Sequence, residues 1–248
     1  MSGSIYLDLD GTLLDPGGLL VQDSMSTLQV VRDSGFRPVI LTGRSRWAAA
    51  AIARTLGVED VVCELGAVVL LPGIVQLAAP EAVPFPREAL LAALTALPLQ
   101  EHEPGTPRTS GLVLRSAATA ATVTEVLHDA GFGEWCAVDN GPSHLPTDDG
   151  TPSRVVHVLP SGTDKATGVR MHLQLRDLLP EACGVVGDST ADLTCASVVP
   201  RTFCVRSDDH EALRLAEHQG IPVTEARGAG GALEAVRALV AGLRHDAH

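Results

Sequence analysis

Lysine is almost missing from this chain. Of the 18 Lys and Arg residues among 248, only Lys165 is a lysine. Arginine carries the positive charge elsewhere, so the position that keeps a lysine suits a compact ammonium rather than a planar guanidinium. Cations are scarce altogether, and the net charge is −12. That balance argues against a nucleic acid or an anionic membrane as partner. It also means that a site for a phosphorylated ligand must create positive potential locally. Paired cysteines are lacking: Cys63, Cys136, Cys183, Cys195 and Cys204 are odd in number and form no Cys-x-x-Cys. Most sit in apolar runs, where a reduced thiol behaves as a small hydrophobe, so neither a disulfide framework nor a zinc site is expected. No apolar run is long enough to span a bilayer, and no basic segment leads into an apolar one near the start. A reducing cytoplasm fits these absences. What is present, 45% hydrophobic residues over 248 positions, is ordinary for one large globular domain or two small ones.

The chain is organised around Ile5-Tyr6-Leu7-Asp8-Leu9-Asp10-Gly11-Thr12-Leu13-Leu14. A short apolar run that ends in two carboxylates and a Gly-Thr turn reads as a buried strand entering a loop. In a parallel α/β sheet, ligands bind just beyond the carboxyl ends of strands. Side chains alternate along a strand, so Asp8 and Asp10 start on one face. Two like charges so close need a cation or a shared proton. Magnesium, which takes oxygen ligands and substrate phosphates, is the natural relief.

Further along, helix and strand patterns alternate. Helices are expected over 23–34 and 45–56, and strands at Pro38–Leu41 and Val61–Cys63, with Val68–Leu71 as a hairpin extension. Pro80, Pro84 and Pro86 suggest a boundary. Beyond it, helices at 87–97 and 119–130 mix with strands at Gly111–Arg115, Trp135–Asp139 and Arg154–Leu159. The parallel pattern resumes with a helix over 164–177 and strands at Cys183–Gly187, Thr202–Val205 and Ile221–Val223. Helices over 208–219 and 231–243 follow, and the tail from Arg244 reads as frayed. The expected fold is α/β: a Rossmann-like parallel-sheet core, residues 1–72 and 160–248, with helices on both faces and a small α+β unit, residues 73–159, inserted in it.

The pattern Asp8-x-Asp10-Gly11-Thr12-Leu13-Leu14 resembles the first motif of the haloacid dehalogenase superfamily of phosphotransferases. Leu41-Thr42-Gly43-Arg44 resembles the second, Ser161-Gly162-Thr163-Asp164-Lys165-Ala166 the third, and Gly187-Asp188-Ser189-Thr190-Ala191-Asp192 the fourth. The insert between the second and third resembles the type II, subclass B cap of Cof-like sugar phosphatases, sucrose-phosphate phosphatase, mannosyl-3-phosphoglycerate phosphatase and phosphomannomutase. The resemblance implies a magnesium-dependent hydrolase acting on a small phosphorylated metabolite, such as a sugar phosphate or a sugar phosphoglycerate. Asp8 would be the nucleophile that takes the phosphoryl group, and Asp10 the general acid and base. Asp8, Asp10 and Asp188 would hold Mg2+. Gly11, Thr42, Gly43 and Lys165 would bind the phosphoryl oxygens. Ser189 and Asp192 would orient metal-bound water or hold Lys165. Two departures stand out: Ala191 replaces a common Asn, and Leu65, in Glu64-Leu65-Gly66-Ala67, stands where relatives often have Asn.

Alternation along the insert's strands offers a specificity face. Arg115, Trp135, Asp139 and His157, with Arg44 from the core, are the candidates to meet the leaving group, an aromatic with polar groups suiting a sugar. A phosphomutase would need more basic residues than Arg108, Arg115 and Arg154 to hold a second phosphate, which favours hydrolysis. A non-catalytic ligand-binding protein could discard a carboxylate or the lysine, and none is discarded. The expected partner is a small metabolite, and the expected state is a monomer or homodimer.

Overall fold

The computed structural model describes residues 3–15, 17–78, 85–102, 104–143, 145–147 and 150–245. The boundary prolines Pro80 and Pro84 lie outside them. The chain opens with β1 (Ser4–Asp8), every residue of which is buried. Then come α1 (Gln22–Asp33), β2 (Arg37–Leu41), α2 (Arg46–Leu56), β3 (Asp60–Cys63), β4 (Val68–Leu71) and β5 (Ile74–Leu77). The middle of the chain forms α3 (Arg87–Ala93), β6 (Leu99–Glu101), β7 (Leu112–Ser116), α4 (Ala120–Asp129), β8 (Trp135–Pro142) and β9 (Arg154–Pro160). The last part forms α5 (Lys165–Arg176), β10 (Gly184–Gly187), α6 (Thr190–Leu193), β11 (Thr202–Arg206), α7 (His210–Gln219), β12 (Val223–Arg227) and α8 (Gly228–His245).

Two sheets result. The larger has eight strands in the order β12-β11-β10-β1-β2-β3-β4-β5, parallel except for the hairpin additions β4 and β5. Strand order turns back on itself at β1, which lies between β10 and β2, so the crevice beyond their carboxyl ends is the place for a ligand. Continuous apolar runs form these strands because both faces are covered. Ile5 and Leu7 point to one face, with Leu28, Ala49, Val236 and Leu239, the side of α1, α2 and α8. Tyr6 points to the other, with Ala166, Val169 and Leu173 of α5. Asp8 shares the Tyr6 parity and so emerges on the α5 side.

The smaller sheet is antiparallel, in the order β6-β7-β9-β8. One face carries Leu112, Leu114, Trp135 and Val158 and packs on Leu90, Leu94, Val123 and Leu127 of α3, its C-terminal end and α4. The other face turns to the large sheet: Leu159 joins the main core there and Val138 packs against it. A buried carboxylate also joins the two units. Glu64, with φ of +50°, accepts N–H bonds from Thr109 at 2.9 Å and Ser110 at 3.0 Å, and from Arg46 at 3.2 Å.

Several boundaries move relative to the sequence reading. Strand β5, in the segment assigned to the insert, is the edge of the large sheet. The helix expected over 87–97 stops at Ala93, and the short β6 follows. The last helix runs to His245 rather than fraying at Arg244. Among the described residues no helix is long and apolar enough to cross a membrane.

Candidate active site

Where β1 ends, the chain turns through residues 9–14. Leu13 N–H reaches the Asp8 carbonyl at 3.3 Å and Leu14 N–H the Leu9 carbonyl at 2.7 Å. Gly11 makes this turn possible twice over. Its φ is +82°, and a β-carbon there would lie 2.4 Å from Asp188 Oδ2. The glycine lets the loop from β1 and the loop from β10 share one volume.

Lys165 fills the centre of that volume. It is the first residue of α5, capped by Asp164, whose carboxylate accepts from Thr167 N at 2.7 Å. Asp164 is thereby used, and Lys165 is buried rather than solvated beside it. Its Nζ donates to Asp8 Oδ1 at 2.7 Å and to Asp192 Oδ1 at 2.6 Å. The other oxygen of Asp192 accepts from Ser189 N at 3.1 Å and Ser189 Oγ at 2.6 Å, closing a capping box at α6. Asp188 accepts from Thr12 Oγ1 at 3.3 Å. Asp8, Asp188 and Asp192 each present a carboxylate oxygen, all within 4.8 Å of one another.

Three acids thus face one ammonium. Burial raises the Asp8 carboxyl well above the usual range; Lys165 opposes the rise, and the charges of Asp192, Asp188 and Asp10 add to it. Asp188 is pushed up to about 7 by burial and by Asp192. Lys165 moves up as well, because Asp192 and Asp8 outweigh its burial. Such a set is short of positive charge. Clustered carboxylate oxygens are also the donor set that a hard divalent cation prefers.

Thr42 is buried at the end of β2. Its Oγ1 accepts from Arg44 N at 3.1 Å, and the cap of α2 is Ser45, three residues on. The Asp10 carboxylate, expected among the metal ligands, lies outside the cluster of three. It is exposed and clamped by Arg44, Nε at 2.9 Å and Nη2 at 2.6 Å. The first-motif loop carries it past the strand end, where the strand parity that aligned it with Asp8 no longer holds.

Of the insert residues expected over the site, only His157 arrives. It lies on the face that carries Val138 and Leu159, buried, with its ring against Gly43. Trp135 is on the opposite face, packed beside Phe85 in the core of the small unit. Asp139 pairs with Val156 in the sheet and is bound by Arg154 and by Gly141 N at 2.7 Å. Arg115 donates to the Pro146 carbonyl and to Gln100 Oε1, each at 3.0 Å. Those three side chains are engaged within their own unit.

The sequence reading missed two residues that do arrive. Arg108 Nη1 donates to the Gly43 carbonyl at 2.9 Å. A β-carbon on Gly43 would lie 3.1 Å from Asn140 Nδ2 and equally close to His157 Cε1 and Nε2. Burial and the charges of Arg108, Lys165 and His102 hold the His157 imidazole well below its ordinary pKa. Its Nδ1 is buried without a hydrogen-bond partner.

The fold and this cluster set carboxylates at a strand end of an α/β sheet, and comparison with known proteins shows what the chain resembles. Residues 5–79 match the model of haloacid dehalogenase-like hydrolases. A phosphoglycolate phosphatase of Pyrobaculum aerophilum is 28% identical over 197 residues, 78% of each chain. Sucrose-phosphatase from Synechocystis, solved with sucrose and phosphate, superposes with a TM-score of 0.71 at 19% identity, covering 95% of this chain and 96% of that one. A subclass IIB sugar phosphatase of the superfamily gives 0.68 at 14%, covering 98% and 100%. The likeness to haloacid dehalogenase-like hydrolases is carried in sequence by residues 5–79, and the solved structures share the fold along nearly the whole chain.

Proposed function

We propose that this phosphatase is magnesium-dependent and hydrolyses a small phosphorylated metabolite through an aspartyl-phosphate on Asp8. The observation that carries the reading is the buried Lys165, held between Asp8 and Asp192 with Asp188 alongside. Such an arrangement is costly as pure structure, because two buried acids and a half-buried third on one cation leave charge uncompensated. It is suited to a site that receives a cation and a phosphoryl group.

Asp8 and Asp188 would hold the magnesium ion, with Asp192 behind them through Lys165 and Ser189. The ion would neutralise phosphoryl charge as it builds in the transition state. The Asp8 oxygen attacks phosphorus and the bond to the leaving oxygen breaks. Asp10 gives that oxygen a proton. Asp10 then takes a proton from water as the water oxygen attacks phosphorus, and the Asp8–phosphate bond breaks. Both roles require the Asp10 carboxylate to leave Arg44 and turn toward Asp8. Lys165 holds Asp8 in line and faces the transferring oxygens, while the Thr42 hydroxyl and the Gly43 loop bound their volume. The unit built on β6, β7, β8 and β9 serves as the cap that meets the leaving group. The five cysteines are all free, the state that a cytoplasm maintains.

Phosphate release from p-nitrophenyl phosphate, measured with Mg2+ and with excess chelator, tests the reading. Activity should need the ion and should vanish in Asp8→Asn, and beryllium fluoride should add to Asp8 in a crystal structure. Full turnover in chelator, or near-normal turnover by Asp8→Asn, would sink the mechanism.

A further inference from the structure

Resting on that phosphatase reading, we propose that Glu64 is a positioning residue: its buried carboxylate seats the insert on the core, and the turn that carries it passes that seating on to Thr42 and Lys165.

Glu64 is 1% exposed and lies outside the cluster of Asp8, Asp188 and Asp192. Its Oε1 accepts from Arg46 N at 3.2 Å and Thr109 N at 3.1 Å, and its Oε2 from Thr109 N at 2.9 Å and Ser110 N at 3.0 Å. One donor opens α2 in the core, and the other two lie in the insert just before β7. Three backbone N–H groups converging on one side chain require a group that only accepts. An ionised carboxylate is such a group, and hydrogen bonds to a charge are the stronger kind. The amide of glutamine, almost the same shape, would turn its own N–H groups against those donors.

The backbone of the turn is strained. Glu64 has φ of +50° and Leu65 of +56°, in the left-handed region that favours glycine. Residues held this way persist only where their surroundings fix them. Here the surroundings are the elements that carry the site. Glu64 N donates to the Arg44 carbonyl at 3.0 Å, and Leu65 N to the Thr42 carbonyl at 3.2 Å. At Gly66 a β-carbon would lie 1.8 Å from the Asp164 carbonyl oxygen and 3.1 Å from Lys165 Cα. No slack separates the turn from the start of α5, and close-packed contacts transmit displacement. One three-residue turn therefore touches the insert through Glu64, Thr42 through Leu65 and the lysine helix through Gly66. With the insert seated, the turn holds Thr42 and Lys165 in place. With the insert lifted, Glu64 loses two of its three donors and the strained turn relaxes. Phosphoryl transfer is then fast only under a seated insert, when a leaving group is in place.

Coupling of this kind is reciprocal, so it can be measured from both ends. The first arm is amide hydrogen exchange on the full chain with Mg2+. Beryllium fluoride should slow exchange at Thr109 and Ser110 at least threefold in the wild type and leave it unchanged in Glu64→Gln. The second arm is turnover of p-nitrophenyl phosphate. Glu64→Gln should lower kcat at least tenfold and raise Ki for inorganic phosphate at least threefold, with KM changing less than kcat. If Glu64→Gln does not fold by circular dichroism, Glu64→Asp, which keeps the charge and shortens the reach, takes its place in both arms with losses in the same direction. Exchange at Thr109 and Ser110 indifferent to beryllium fluoride in an active wild type would overturn the coupling. So would wild-type kcat and Ki in a folded variant that has lost only stability. A wild type that releases no phosphate from p-nitrophenyl phosphate would instead overturn the phosphatase reading on which the coupling rests.

Discussion

One helix, α5, touches a buried ionic network at each end, and the two are built on opposite balances. At its N-terminus Lys165 is the one cation among Asp8, Asp192 and Asp188. At the other end Asp60 is the one acid. It accepts from His172 Nε2 at 3.0 Å, from Arg176 Nε at 2.9 Å and through a second bond from Arg176, and from Arg37 Nη1 at 3.3 Å. Tyr6 Oη meets His172 Nδ1 at 2.8 Å and completes the set. Burial raises the Asp60 carboxyl, but the hydrogen bonds from His172 and Arg176 outweigh it and bring it down to about 2. At the upper end Asp8 and Asp188 go up, Asp188 to about 7. A saturated network belongs to architecture, whereas an unsaturated one awaits a ligand. Tyr6 and Asp8 are neighbours of equal parity on β1, so one strand and one helix serve both ends.

Lys165→Met should break the upper network most severely. The remaining acids would lose their cation, and kcat should fall by about a thousandfold or more, in line with the loss of a charge that stabilises a transition state. Lys165→Arg should recover little, since a planar fork does not fit between two carboxylates set for an ammonium. Steady-state kinetics with p-nitrophenyl phosphate read both, and activity of the arginine variant within twofold of wild type would contradict the geometry.

Asp60→Asn should break the lower network and leave chemistry in place. Removing the charged partner of a buried pair costs about 3–5 kcal/mol. Denaturant unfolding should show a loss of that order, while kcat/KM of the folded protein stays within a few-fold. A large drop in kcat with stability retained would mean that the two ends are not separable.

The pH dependence sharpens the contrast. Asp60 has a folded pKa of about 2, below an unfolded value near 3.9. Its contribution is therefore fully present above about pH 4 and is lost as pH falls from there through 2. The unfolding free energy of the wild type should decline across that window, and Asp60→Asn should decline less steeply. Parallel acid profiles would remove Asp60 as the cause.

The smallest effect belongs to Arg115→Ala. Its guanidinium serves the Pro146 carbonyl and Gln100, so the melting temperature should drop by a few degrees and KM should change by less than about twofold. A tenfold rise in KM would return Arg115 to the substrate face.

What could be read from the sequence was local. Asp8, Lys165, Asp188 and Asp192 stand at strand and helix ends, where a motif carries its own geometry, and the parallel core with its crossover helices followed from alternating patterns, though its strand order did not. What could not be read depended on how the two sheets meet. Both faces of the small sheet are covered, one by α3 and α4 and the other by the main core, so alternation alone could not say which face carried Trp135 and which His157. Arg108 and Asn140 reach Gly43 across the two units, a meeting invisible in chain order. The partners of Asp60 lie up to 116 positions away and left no local signature. Strands β5 and β6 are short and half-exposed or more, too weak to register as alternating patterns.

The solitary lysine has a practical side. Apart from the α-amino terminus, the folded chain offers amine reagents a single target, and that target is buried and ion-paired between Asp8 and Asp192. Acylating probes should decorate the terminus quickly and Lys165 only when the site opens or the fold melts. Intact-mass spectrometry would then count openings one adduct at a time, with no engineered label, and a tightly bound anion should slow the second adduct without touching the first.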